Sequence, residues 1–130
     1  MRKIKFRGKT GTIKNDKWVY GYLYKVKSLF NEKYQYYIRN ENLQDFIVDE
    51  NTIGQFTGLY DKNNVPVYEG DIVMFDDEWT KPTETGIVTW NNENASFQIK
   101  GHIPSSSMKH LSRMKVVGNT SDVKMGKGQI

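Results

Sequence analysis

The sequence predicts a β-rich fold, all-β or close to it, and three observations predict it. Aromatic residues are abundant, with 3 Trp, 8 Tyr and 6 Phe, and together with β-branched residues they favour strands over helices. Clusters of Gly, Asn and Asp recur roughly every eight to twelve residues, the punctuation of short strands. Apolar residues alternate with polar ones at period two, and few stretches carry a helical period. A chain of 130 residues suits about one ordinary domain with its own core.

The elements follow in order. Residues 3–7 alternate, with Lys3, Lys5 and Arg7 on one side and Ile4 and Phe6 on the other, as in a half-buried strand. Gly8-Lys9-Thr10-Gly11 and Asn15-Asp16-Lys17 read as turns. Residues 18–24 form the next strand, placing Trp18, Tyr20, Tyr22 and Tyr24 on one face and Val19, Gly21 and Leu23 on the other. Further strands are expected at 34–39 and 46–48. Asp49 is placed to cap a helical turn through Thr52, its carboxylate accepting from open backbone amides. Two glycines within 53–59 predict a bent strand or an irregular segment. Asp61-Lys62-Asn63-Asn64 is a turn by composition.

Residues 65–68 are extended around Pro66, and Glu69-Gly70-Asp71 turns into the apolar strand 72–75. Residues 76–85 read as a polar loop, 86–90 and 96–100 as strands joined by an Asn-rich turn, 102–110 as loop with a short turn at Leu111, and 115–119 as a last strand. Residues 120–130 are expected to be a frayed, flexible tail. The order strand, long loop, strand, short turn, strand in the C-terminal half reads as an SH3-like barrel formed largely by residues 65–119. No linker stands out, so residues 1–119 are read as one β-rich domain, with subdomains 1–60 and 61–119 as the alternative.

Charge is distributed unevenly. The net charge is +4. Residues 1–27 hold nine basic residues and one acid, residues 28–78 eleven acids and three bases, and residues 79–130 seven bases and three acids. That asymmetry predicts either charge matching between segments or a surface for a polyanion. The absence of cysteine excludes disulfides and thiolate metal sites and suits a reducing compartment. No apolar run approaches the roughly 18 residues needed to span a bilayer, and the basic N-terminus lacks a signal-peptide core. A cytoplasmic location with no membrane contact is the expectation.

Four stretches carry a resemblance. They are Lys5-Phe6-Arg7-Gly8 with Trp18-Val19-Tyr20-Gly21-Tyr22-Leu23; Val48-Asp49 with Thr52-Ile53-Gly54-Gln55-Phe56-Thr57-Gly58-Leu59; Asp61-Lys62-Asn63 with Val67-Tyr68-Glu69-Gly70-Asp71-Ile72-Val73; and Val116-Val117-Gly118-Asn119. In this order they resemble the YopX family of phage and prophage proteins. The resemblance implies a β-rich phage or prophage protein in a bacterial host and supplies no catalytic residue to carry over. Family members often continue past the Gly-Asn with an Asn-Pro-Glu-like ending, from which Thr120 to Ile130 departs. The family-motif residues Gly54, Gln55, Thr57, Gly58, Asp61, Glu69, Gly70 and Asp71 are read as structural. The glycines suit turns or close backbone approach, and the two aspartates suit bonds to turn amides.

Gly8-Lys9-Thr10 lacks the upstream glycine and the following helix of a phosphate loop. Asp76-Asp77-Glu78 reads as a solvated acidic loop, and His102 and His110 lack zinc-ligand spacing. His102 with Ser105, Ser106 and Ser107 lacks an acid nearby. The expectation is therefore a protein that is not an enzyme and has no cofactor and no metal. Its function is read as binding a host or phage protein, or self-association. The alternative is a nucleic-acid-binding module using Lys3, Lys5, Arg7, Lys9, and with them Lys25 and Lys27, beside the ring stripe Trp18, Tyr20, Tyr22 and Tyr24. Against that alternative stands the ordinary fate of such a stripe, which is to be core or subunit interface.

Overall fold

The computed structural model describes residues 3–11, 16–75, 85–101 and 105–122. The chain forms two compact units, Met1–Phe56 and Thr57–Ile130. The described residues are strand-rich, as the aromatic and β-branched content requires.

The first unit is an antiparallel sheet of β1 (Phe6–Lys9), β2 (Trp18–Lys27), β3 (Tyr34–Arg39), β4 (Asp45–Val48) and the beginning of β5 (Gly54–Tyr60), in the order β4-β3-β2-β1-β5. β2 serves two partners. Its residues 18–21 pair with β1, and its residues 22–27 pair with β3. Gly21 sits at the handover with φ of 153°, where a Cβ would collide with the carbonyl of Arg39 and lie 3.0 Å from Asn40 Cα. Only glycine fits there.

Val19, Ile38 and Val48 form the core of this unit, with Phe6, Leu23, Tyr36, Phe46 and Ile53 packed against them. The expected cap is present. Asp49 accepts from the Asn51 amide at 3.0 Å and begins a 3-10 turn, Glu50–Thr52. The Thr52 hydroxyl donates to the Asp49 carbonyl and accepts from the Lys9 amide, 2.8 Å away, so the turn is stitched to β1.

The second unit contains β6 (Pro66–Tyr68), β7 (Asp71–Phe75), β8 (Thr85–Asn91), β9 (Ser96–Gly101) and β10 (Met114–Asn119). Four of these form an antiparallel sheet in the order β10-β7-β8-β9. Val67, Val73, Phe75, Val88, Ile99, Leu111 and Met114 make its core.

Several sequence expectations are corrected. The first strand lies at Phe6–Lys9, so Gly8 and Lys9 are ladder residues paired with Val19 and Trp18. Residues 105–110, expected as loop, belong to a 3-10 segment, Ser105–Arg113, because Leu111 and the half-buried Met108 are drawn onto the core of the second unit. The chain is not frayed directly after Asn119. Thr120 donates to the Gly70 carbonyl, and Asn119 and Asp122 exchange two hydrogen bonds at 2.7 and 2.8 Å. The Asp76-Asp77-Glu78 loop, His102 and the end of the tail lie outside the described residues.

Candidate functional site

The period of two along β2 puts its aromatic residues on the face opposite Val19 and Leu23. Register then assembles the rest of that face. Arg7 lies opposite Tyr20 and Lys9 opposite Trp18. On the other side of β2, Arg39 lies opposite Tyr22 and Tyr37 opposite Tyr24. Asp45 completes the row opposite Arg39. The sheet therefore has a core face and an aromatic–basic face.

The aromatic stripe is not core. Tyr20 is 40% exposed and Tyr22 69% exposed, while Trp18 and Tyr24 are half-buried. Cations stand at the rings. Lys5 Nζ is 5.7 Å from the Tyr20 ring centre and Lys9 Nζ 5.5 Å from that of Trp18. Lys25 and Lys27 fall instead on the face of Leu23, where Lys25 Nζ is 4.2 Å from the Tyr34 ring and Lys27 pairs with Glu32 at 3.6 Å.

Arg7 departs from expectation. The strand period placed it with Lys3 and Lys5 on a solvated side, yet it is only 7% exposed. Its guanidinium lies 4.4 Å from the Trp18 ring centre, and a planar, weakly hydrated cation is well suited to such a face. Arg7 is thus part of the sheet's packing.

Beyond Tyr22 the face is held by charge. Arg39 donates two hydrogen bonds to Asp45, at 2.7 and 3.0 Å. The hydrogen bond from Arg39 holds the Asp45 carboxyl below its ordinary range, and the bond and charge of Asp45 push Arg39 upward. Desolvation, and then its hydrogen bond to Asp45, raise the Tyr24 phenol. Tyr24 also stacks on Tyr37, with ring centres 5.1 Å apart.

A concavity of about 600 Å³ adjoins this face. Lys3, Lys5, Trp18, Tyr20 and Tyr22 line it, together with residues that the sequence reading left out: Lys17, Phe46 and the β3–β4 turn with Asn40, Glu41, Asn42 and Gln44. The turn is preorganised by Asn40, whose side-chain oxygen accepts from the amides of Asn42 and Gln44. The polar run Asn40-Glu41-Asn42 was the available signal, legible as a turn but not as a wall of a cavity.

The family-motif residues are spread over both units. Gly54 is buried opposite Arg7, and Gln55 pairs with Phe6. Gly58, within β5, and Gly70, between β6 and β7, have φ of 88° and 94°, a backbone region that favours glycine. The Thr57 hydroxyl donates to the Val67 carbonyl and accepts from the Leu59 amide, bonds that its sequence neighbours did not indicate. Asp71, 2% exposed, accepts from the Tyr68 amide at 2.8 Å. Asp61 accepts from the amides of Asn63 and Val65 and, across the unit, from that of Val116. Glu69 is half-buried. Among the described residues no group of three or more His, Asp or Glu gathers in a way that could hold a metal ion. No helix there is long and apolar enough to cross a membrane.

A family model described as YopX protein matches residues 5–122. Among solved structures the chain is similar to the crystal structure of protein EF1440 from Enterococcus faecalis. The identity is 18% and the TM-score 0.52, over 92% of this chain and 94% of that one. At that identity the likeness speaks for the fold. No curated protein matches the chain.

Proposed function

We propose that this chain, which belongs to the YopX family, acts by binding a macromolecular partner through the aromatic–basic face of its first unit, as a phage or prophage accessory protein without catalysis. One observation carries the reading. Tyr20 and Tyr22 stay exposed on a sheet whose other face already supplies the core. Large aromatics are ordinarily buried, and Tyr, Trp and Arg gathered on a surface are the composition of binding hot spots. The ionisable groups of the face support binding over chemistry. Asp45 is pushed down, and Arg39 and Tyr24 up, so each is held further from proton exchange near neutral pH.

A second surface, apart from this face, suits a protein partner or a second copy of the chain. Leu29 and Phe30, at the β2–β3 hairpin tip, are 95% and 96% exposed. Photocrosslinking tests the main reading. A Tyr22→p-benzoylphenylalanine variant, expressed in the host cell and irradiated, should form a discrete macromolecular adduct. The same substitution at the exposed Val117 of β10 should not. Equal labelling at both positions, or none at Tyr22, would refute a binding role for this face.

A further inference from the structure

We infer that the ligand of this face is single-stranded nucleic acid, an inference that rests on the binding role just proposed. The chemistry asked of such a site is a flat ring for each base and a mobile cation for each neighbouring phosphate. The face and the concavity beside it supply both. Tyr20 has Lys5 beside it on the face, and Lys17, in the concavity, has its Nζ 4.9 Å from the ring centre of Phe46, which otherwise packs on the core. Consecutive ring-bearing residues on β2 are separated by two strand positions, about 6.7 Å of rise. That is about twice the 3.4 Å spacing of stacked nucleotides along one strand, so the step from Tyr20 to Tyr22, the two exposed rings, matches one base lodged on or between them.

The surroundings agree in sign and shape. Residues 1–27 carry nine cations and one carboxylate. The adjoining concavity offers Lys3, Lys5 and Lys17 for phosphates against one carboxylate, Glu41, and the side-chain amide of Asn42 for base edges. A duplex keeps its base faces inside its own stack and has none to offer Tyr20 and Tyr22. An acidic protein surface would satisfy the lysines while making no use of exposed ring faces. Unpaired strands use both features at once.

The test is fluorescence anisotropy of the full chain with labelled oligo-dT and oligo-U of about 15 nucleotides, and with a duplex of the same length. Single strands should bind more tightly than the duplex. Three phosphate contacts from Lys3, Lys5 and Lys17 give a log–log salt slope of about −2, so affinity should fall about twentyfold between roughly 50 and 200 mM salt. Tyr22→Ser should weaken binding by about fivefold or more, because a stacking ring is lost, while Tyr22→Phe should restore it. Lys17→Gln should flatten the slope by about 0.7. Absence of saturable single-strand binding at low salt would overturn the inference, as would a duplex bound equally well or a Tyr22→Ser variant that binds like the parent. If crosslinking at Tyr22 then yields protease-sensitive adducts only, the face is still a binding surface and its ligand is a protein. If neither assay responds, both readings fall.

Discussion

Asp61 is where the reasoning about the second unit is most exposed to refutation. Its carboxylate accepts three backbone bonds: from Asn63 at 2.8 Å, from Val65 at 2.9 Å and from Val116 at 2.9 Å. The first two close the turn before β6, and the third fastens that turn to β10. Asp61→Ala removes all three. Asn63 and Val65 are exposed, so water replaces their partner at about 0.5–1 kcal/mol each. The Val116 amide is half-buried, and leaving it unsatisfied costs about 1–3 kcal/mol. The expected loss is about 3 kcal/mol, or roughly 10–20 °C in the Tm of a unit this size.

Asp61→Asn is the sharper perturbation. One amide oxygen can still serve the turn, but the NH2 group then faces the Val116 N–H, donor against donor. Asn should therefore cost nearly as much as Ala. Urea unfolding of the parent and both variants, with hydrogen exchange at Val116, measures this directly. An Asn variant within about 0.5 kcal/mol of the parent, with Val116 still protected, would show that the long-range bond contributes nothing.

Two further outcomes are expected. Gly21→Ala should cost about 2–4 kcal/mol in chemical denaturation, because the new Cβ collides with Arg39 at a positive φ; an unchanged midpoint would mean that β2 does not pass so close to β3 there. The lowered Asp45 group contributes stability that is present above its ordinary value of 3.8 and lost as pH falls through its depressed folded-state value. Asp45→Asn should flatten the acid limb of Tm against pH below 3.8, and an equally steep limb in the variant would assign that limb to other carboxylates.

The strands were legible where one period ran long enough. The alternation from Trp18 to Tyr24 put the aromatic residues on one face and Val19, Gly21 and Leu23 on the other, and the structure draws Val19 and Leu23 into the core. Its limits are equally physical. Period two says which residues share a face and not which face finds a neighbour, so the sequence left the stripe open as core, subunit interface or ligand surface, and the structure leaves Tyr20 and Tyr22 exposed. Arg7 shares a period with Lys3 and Lys5, but only the pairing of β1 with β2 brings its guanidinium over Trp18. Asp61 was legible as a turn residue from its neighbours, while its bond to Val116 depends on contact between distant segments. The serine-rich stretch before Leu111 has loop composition, and the demand of the core for Leu111 outweighs it. At the candidate site the basic strand and the rings were visible in the sequence. Lys17, Phe46 and the Asn40 turn were not, since the β3–β4 hairpin brings Phe46 and the turn to the start of β2, where Lys17 precedes Trp18.

The sheet order of the first unit also bears on how the chain emerges during synthesis. β1 finds β2 early, a short hairpin away, but its other edge is closed only when Gln55 and Gly54 arrive to pair with Phe6 and Arg7. Until then the nascent protein carries an open strand edge, the kind of edge that recruits strands from other chains. Lys5, Arg7 and Lys9 stand on that edge, and clustered positive charge is a deterrent to such pairing. The same cations thus guard the unfinished sheet before Arg7 is packed over Trp18 and Lys9 pairs with Asp16.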